Sequence, residues 1–163
     1  MDAARALGRT LAGRGIELVY GGAKVGTMGA VADAALHAGG RVLGVIPHAL
    51  VELEVAHEGL SELHEVANMH ERKALMLELS DGVITLPGGY GSLDELFEAL
   101  AWLQLGIHSM PVGLLNVRGY YDNLLAHLDH ARVEGFLAPD HHGLLLADAD
   151  AARLLDRMDE FRV

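Results

Sequence analysis

The feature that most constrains the fold is a glycine-rich turn between a short apolar run and an amphipathic run. The apolar run, residues 82–86, is typical of a buried parallel strand, and residues 93–105 carry apolar side chains at helical spacing. Gly88, Gly89 and Gly91 allow the backbone to turn tightly between them. The first N–H groups of the helix would then face open space at its positive end. Such a turn predicts an anion site, and phosphate is the usual anion.

A purely structural interpretation of the same residues is also open. Ser92-Leu93-Asp94-Glu95 matches a capping box, in which Glu95 would fold back onto the backbone. Glycine turns are also common in α/β proteins that bind nothing there. We place Glu95 at the third helical position. Its orientation therefore separates a helix cap from a carboxylate that faces a ligand.

Short apolar runs alternate with helical patterns along the whole chain. The predicted strands are residues 16–20, 41–46, 63–66, 82–86, 110–116 and 143–147. The predicted helices are residues 1–15, 30–38, 69–79, 93–105, 120–134 and 148–158. This alternation predicts an α/β fold with a Rossmann-like parallel sheet and helices on both faces. No linker divides the chain, and domains commonly contain ~100–200 residues, so we expect one domain over residues 1–163.

A second glycine loop, residues 21–29, follows the first predicted strand and opens a helix of small residues. In parallel sheets, ligands bind beyond the carboxyl ends of the strands, and both glycine loops would lie there. We therefore expect the two loops to line one crevice.

Composition limits the classes of partner. The net charge of −11 argues against a nucleic-acid partner. There is no cysteine, and the ten histidines are scattered without metal-ligand spacing, so we expect no metal. No apolar run approaches the ~18 residues of a membrane span, and nothing resembles a signal peptide. We expect a cytoplasmic protein with no membrane partner, which holds any anionic ligand by local groups.

The helix predicted at 69–79 places a cation where an apolar residue is expected. Asn68, with Glu71 three residues later, predicts its start. On a helical wheel the apolar side chains form one stripe, which contains Met69, Leu75, Met76 and Leu79. Arg72 lies near the middle of this stripe, where an unpaired guanidinium would cost several kcal/mol. Arg72 should therefore face a ligand, unless it reaches solvent along its stem or pairs with a carboxylate for structural reasons.

Glu95 lies on the side of its helix that carries Glu98 and Trp102, away from the apolar stripe, so packing does not require it. Together with Arg72 and the two glycine loops, it provides an anion, a cation and a phosphate cradle.

These residues resemble a known family. Residues 87–95 match the PGGxGTxxE signature of the LOG family, the cytokinin riboside 5'-monophosphate phosphoribohydrolases, formerly described as lysine decarboxylases. The resemblance continues through 21–29, 45–47, 69–73 and 102–106 and covers nearly the whole chain. It implies a homodimeric, Rossmann-like enzyme without a cofactor. The implied reaction is hydrolysis of the N-glycosidic bond of AMP or a cytokinin riboside 5'-monophosphate, which releases the base and ribose 5-phosphate.

The resemblance also implies residue roles. Arg72 and Glu95 would be the catalytic pair. The positions that would bind the nucleotide are Glu54, Lys73, Gly22, Met69, Gly88, Gly89, Tyr90, Gly91, Ser92, Leu93 and Asp94. Ser92 replaces the threonine of the signature and keeps its hydroxyl, whereas Ala101 replaces a threonine that often precedes the motif tryptophan.

The start of the chain departs from the family pattern. Members usually begin with a strand and a Gly-Ser-Ser loop, whereas this sequence begins within the helix that follows them. Either the given start lies downstream of the true one, or the sheet lacks the family's first strand and one side of the pocket is open. We expect a sheet without that strand to be less stable, or more dependent on its dimer.

The alternative function is a nucleotide or cofactor carrier on the same fold, which binds without chemistry. A carrier has no need for both Arg72 and Glu95. A pyridoxal enzyme fits less well, because Lys24 and Lys73 are the only lysines. A Rossmann dehydrogenase fits less well too, since Asp94 stands at the third glycine of the dinucleotide motif.

Overall fold

The computed structural model describes residues 1–51, 56–138, 141 and 143–162. The chain divides into two units, Met1–Ser80 and Asp81–Val163, each with a three-stranded parallel sheet and helices. The predicted α/β class with parallel strands is thereby confirmed, with the strands arranged as two three-stranded sheets. The single domain over residues 1–163 stays a prediction.

The first unit follows the predicted alternation. Its helices are α1 (Asp2–Gly13), α2 (Gly26–His37), α3 (His48–Val51) and α4 (Met69–Glu78). Its strands are β1 (Leu18–Tyr20), β2 (Val42–Pro47) and β3 (Glu62–Val66), in the order β1–β2–β3. Tyr20 lies opposite Gly44, and Ile46 lies opposite Glu65. All residues of the central strand β2 are buried, as its continuous apolar sequence predicts.

Helices α1 and α2 approach each other closely because small residues line their contact. Gly8 of α1 lies against the α2 backbone, where a Cβ would collide with the Val31 carbonyl. Ala32 and Ala35 of α2 are buried in a core cluster with Tyr20 and Val42. This packing places the first turn of α2 beside the carboxyl end of β1.

The second unit repeats the same arrangement. Its strands are β4 (Val83–Thr85), β5 (Val112–Leu115) and β6 (Leu145–Asp148), in the order β4–β5–β6. Its helices are α5 (Tyr90–Gln104), α6 (Asp122–Val133) and α7 (Ala151–Glu160), with a 3-10 turn at Val117–Gly119. The central strand β5 is buried throughout, and Leu154 and Met158 of α7 pack where Gly113 leaves space for them.

Both helices that follow a glycine loop begin earlier than predicted. Helix α2 begins at Gly26 rather than at residue 30, and α5 begins at Tyr90 rather than at residue 93. Glycine has a low helix propensity, which favours a loop in a prediction from sequence. The first turn tolerates it because N–H groups there have no partner within the helix in any case. Residues 26–28 and 90–92 therefore supply the free N–H ends of the two helices.

Candidate active site

Helix α4 begins at a well-formed cap, as predicted. The Asn68 side-chain oxygen accepts hydrogen bonds from the N–H groups of His70 and Glu71, each at 3.0 Å. The Glu71 carboxylate folds back and accepts from the Ala67 N–H at 2.9 Å and from Asn68 Nδ2 at 3.0 Å. These bonds satisfy donors that the first turn cannot satisfy itself and fix the turn that carries Arg72.

Arg72 is the one residue of the fully described helix α4 that is buried, with 6% of its surface exposed. Met69 and Leu79, which the helical wheel places on an apolar stripe, are 41% and 37% exposed. The buried face of α4 is thus the face that carries Arg72. The alternative in which Arg72 reaches solvent along its stem is wrong.

The glycine loop after β1 provides the room for the guanidinium. Arg72 Nη2 donates to the Gly21 carbonyl at 3.3 Å, and a Cβ on Gly21 would collide with this side chain. Nη1 lies 3.6 Å from Met69 Sδ, while Nε has no hydrogen-bond partner in the part of the chain that is described. Among the described residues of the first unit, no carboxylate forms an ion pair with Arg72. The guanidinium therefore keeps N–H donors that a ligand could use.

Gly22 shapes the same loop. It is buried with a φ of +78°, and a Cβ there would press against Ile46 and Leu63. Its carbonyl accepts from the His57 N–H at 2.9 Å. Only glycine combines this backbone conformation with this spacing, so the backbone next to Arg72 is held in place.

Helix α5 has no side-chain cap at its start. Its N-cap is Gly89, with φ −106° and ψ −145°, which has no side chain to bond to the free N–H groups there. Ser92 is the third residue of the helix rather than its cap, so the capping-box alternative is wrong. Glu95 is the sixth residue, which corrects the predicted third position, and its side chain is half-buried. The N–H groups at the start of α5 are available to an anion.

The hydroxyl of Ser92 lies over the glycine turn. A Cβ on Gly88 would overlap the Ser92 Oγ, so this glycine leaves the space that the serine occupies. Gly89 and Gly91 are exposed, and Tyr90 is 95% exposed. Backbone N–H groups and one hydroxyl therefore line an open turn, the arrangement that suits a phosphate.

Two tyrosines that the sequence analysis did not select also contact this turn. Tyr120 donates from its hydroxyl to the Gly88 carbonyl, and Tyr121 donates to the Leu86 carbonyl, both at 2.7 Å. The two rings pack edge to face, with centroids 4.8 Å apart. They follow a different strand, β5, so their contact with residues 86–88 required the tertiary structure.

Two buried phenols have raised pKa values. Burial, and secondarily the charge of Asp33, raises the pKa of Tyr20, whose hydroxyl has no partner among the described residues. Burial also raises the pKa of Tyr121. Both hydroxyls therefore stay protonated at neutral pH, and Tyr121 remains a donor to Leu86.

The other predicted positions divide between the two units. Lys73 is half-buried in α4. In α5, Leu93 is half-buried and Asp94 is exposed. Glu54 lies outside the described residues. Arg72 is thus placed beside Gly21 and Gly22 in the first unit, and Glu95 behind the glycine turn in the second. A shared crevice for these two groups stays a prediction.

Within the described ranges, no group of three or more His, Cys, Asp or Glu side chains could hold a metal ion. In the same ranges, no helix combines the length and the apolar character that crossing a membrane requires.

The fold has solved neighbours. A molybdenum cofactor binding protein from Rippkaea orientalis superposes with a TM-score of 0.74 over 98% of this chain and 85% of that chain, at 23% identity. The molybdenum cofactor carrier protein from Chlamydomonas reinhardtii gives a TM-score of 0.69 over 98% and 85%, at 21% identity. At this level of identity the likeness shows the shared fold.

The curated relatives are closer in sequence. The "Probable cytokinin riboside 5'-monophosphate phosphoribohydrolase LOGL9" of Oryza sativa subsp. japonica is 51% identical over 98% of this chain and 70% of its own length. The "Cytokinin riboside 5'-monophosphate phosphoribohydrolase LOG1" of Arabidopsis thaliana is 46% identical over 98% and 75%. The family model described as "Possible lysine decarboxylase" matches residues 28–158. This match and these identities, over nearly the whole chain, show that the chain belongs to the LOG family.

Proposed function

We propose that this chain is a phosphoribohydrolase that cleaves the N-glycosidic bond of AMP or a cytokinin riboside 5'-monophosphate. The products are the free base and ribose 5-phosphate. The observation that carries the proposal is the buried Arg72 guanidinium, which has no carboxylate partner among the described residues of its unit and an unpaired Nε. Relatives named as phosphoribohydrolases, about half identical over 98% of the chain, support the same reaction.

The reaction places charge where the proposed groups can stabilise it. As the C1'–N bond breaks, its electron pair leaves with the base and the sugar gains oxocarbenium character. Glu95 stabilises this cation or positions the water that attacks C1'. Arg72 is always protonated and a poor proton donor, so it acts by electrostatic stabilisation and orientation. The N–H groups of the turn at residues 88–92 hold the phosphate.

Product analysis tests the bond and the preferred base together. The chain is incubated with AMP and with isopentenyladenosine 5'-monophosphate, and the products are separated by chromatography. We expect free adenine or isopentenyladenine together with ribose 5-phosphate. Binding of the nucleotide without release of a base would instead identify a carrier, the function in the name of the Chlamydomonas reinhardtii protein.

Substitution of the catalytic pair tests the assigned roles. We expect Glu95→Gln and Arg72→Ala each to lower kcat by about 10²–10³-fold or more, the size of the loss when one group that stabilises transition-state charge is removed. The matched controls are Glu134→Gln and Arg132→Ala, which make the same changes at exposed positions of the second unit. Circular dichroism checks that each variant is folded. Retained turnover in the Glu95→Gln protein contradicts the mechanism.

We also propose that the protein is a homodimer. Phe97, Ala101 and Leu105 recur at a spacing of four residues on α5 and just past its end, and all three are exposed. Phe97 and Leu105 are 42% and 70% exposed, and such an apolar stripe is typical of an interface.

Sedimentation tests the dimer. We expect a mass of about twice the 17.4 kDa of the chain, and a monomer for the double variant Phe97→Glu, Leu105→Glu. A wild-type chain that sediments as a monomer at micromolar concentration contradicts the proposal.

The other predicted properties, a single nucleotide-binding domain, a cytoplasmic location and no nucleic-acid partner, stand as proposals that rest on composition and charge.

A further inference from the structure

The glycine turn is held by two hydroxyl groups from outside its own strand and helix. Tyr121 donates to the carbonyl of Leu86, and Tyr120 donates to the carbonyl of Gly88, each at 2.7 Å. The turn has no side-chain cap of its own at Gly89. The conformation of residues 86–89 therefore depends on groups that lie more than thirty residues later in the chain.

The tyrosines themselves are fixed by the turn that follows β5. Asn116 accepts a hydrogen bond from the Tyr121 N–H at 2.8 Å and donates to the Asp122 carboxylate at 2.7 Å. Arg118 has a φ of +56°, an uncommon conformation for a residue with a side chain. Such backbone persists only where the surroundings hold it, and it is concentrated at functional sites. The ring-to-ring contact of Tyr120 and Tyr121, with planes at 87°, adds to this rigidity.

The direction of one peptide plane follows from these bonds. In a trans peptide the carbonyl and the N–H point in opposite directions. The bond to the Gly88 carbonyl therefore directs the Gly89 N–H away from Tyr120. With glycine on both sides, this plane has little else to prevent it from flipping, because neither residue has a Cβ to restrict its dihedral angles. The Leu86–Pro87 peptide cannot bind an anion in this way, because Pro87 has no N–H. The proline ring also fixes its φ.

We propose that Tyr120 and Tyr121 are positioning residues that hold the glycine turn in its anion-binding conformation. Tyr120 orients the Gly88–Gly89 peptide so that the Gly89 N–H joins the free N–H groups of α5 at the phosphate. Tyr121 anchors the base of the turn at Leu86. The proposal rests on the proposed function for its phosphate ligand, and it assigns the two hydroxyls different roles.

Exposure separates the two roles experimentally. Tyr120 is 56% exposed, so removal of its hydroxyl should cost little stability. Tyr121 is 3% exposed and its hydroxyl bonds within the unit, so its removal should cost stability more than affinity.

The test compares Tyr120→Phe and Tyr121→Phe with wild type by three measurements. These are calorimetric binding of AMP, of ribose 5-phosphate and of adenosine, which lacks the phosphate; kcat and KM for AMP; and the melting temperature. One hydrogen bond corresponds to a change of about three- to tenfold in affinity. For Tyr120→Phe we expect this loss for AMP and ribose 5-phosphate, none for adenosine, a raised KM with a smaller change in kcat, and an unchanged melting temperature.

For Tyr121→Phe we expect the larger fall in melting temperature and the smaller loss of phosphate affinity. Equal affinities of Tyr120→Phe and wild type for AMP and ribose 5-phosphate would overturn the proposal, as would an equal loss for adenosine. Failure of the wild-type chain to bind either phosphate ligand would overturn it too. A wild-type chain that binds AMP but releases no base refutes the proposed reaction and leaves the role of the tyrosines testable, because calorimetric binding still compares the two variants with wild type.

Discussion

At the scale of single residues, the site depends on Gly21, whose missing side chain leaves room for the long side chain of Arg72. Arg72 can be buried beneath the loop at residues 21–29 because Gly21 has no Cβ to occupy the same space. The sequence indicated that Arg72 should face a ligand, since its place among apolar residues required a partner. The contact of Gly21 with Arg72 was not predictable from the sequence, because fifty-one residues separate the two.

Gly21→Ala tests this match. The new Cβ would collide with the guanidinium, and a buried arginine cannot move aside without loss of packing. We expect a loss of about 1–3 kcal/mol in stability, the usual cost of overpacking, and at least a tenfold loss of base release from AMP.

Gly13→Ala is the matched control for Gly21→Ala. Gly13 ends α1, and no atom lies within 4 Å of a Cβ built there. Alanine is a better helix former than glycine, so this variant should be as stable as wild type or more so, with full activity. Full activity in Gly21→Ala, measured beside this control, would show that Arg72 needs no such space.

At the scale of elements, the existence and type of the predicted strands and helices were largely correct, and the starts of two helices were not. Strand β2 and helix α4 were predictable because a continuous apolar run and a capping asparagine are local signals. The starts of α2 and α5 were placed too late because propensity penalises glycine wherever it occurs. The burial of Arg72 and the exposure of Met69 depend on what packs against α4, which no local pattern reports.

The cap of α4 gives a prediction at this scale. Asn68→Ala removes the acceptor for two N–H groups and should lower stability by about 1 kcal/mol. For a chain of this size that corresponds to a fall of about 2–4 °C in melting temperature. Because Arg72 lies in the first turns of α4, we also expect a lower kcat.

Asn68→Ser is the control, since a serine hydroxyl can accept the same hydrogen bonds and should restore most of the stability. Melting curves and AMP turnover of the two variants measure what the Asn68 cap contributes to stability and to activity. An alanine variant that melts with wild type would show that tertiary packing alone fixes the start of α4.

At the scale of the whole molecule, two units of similar design each present a glycine loop at the carboxyl end of their first strand. The first unit holds the cation of the proposed catalytic pair and the second holds the carboxylate. Neither unit carries both groups, and a crevice that they share stays a prediction. The proposed dimer rests on the exposed stripe of Phe97, Ala101 and Leu105, which lies along α5 and just past its end.

Local patterns in the sequence were enough to predict the parallel α/β class, the two glycine loops and the family, and the family resemblance implied the roles of Arg72 and Glu95. These follow from periodicity, from glycine spacing and from motifs, all of which are local along the chain. Other features came from packing: Gly21 makes room for Arg72, α5 begins at Tyr90 after an N-cap glycine, and the Tyr120 and Tyr121 hydroxyls bond to the turn. These are contacts between residues far apart in sequence, and close packing rather than local propensity sets them.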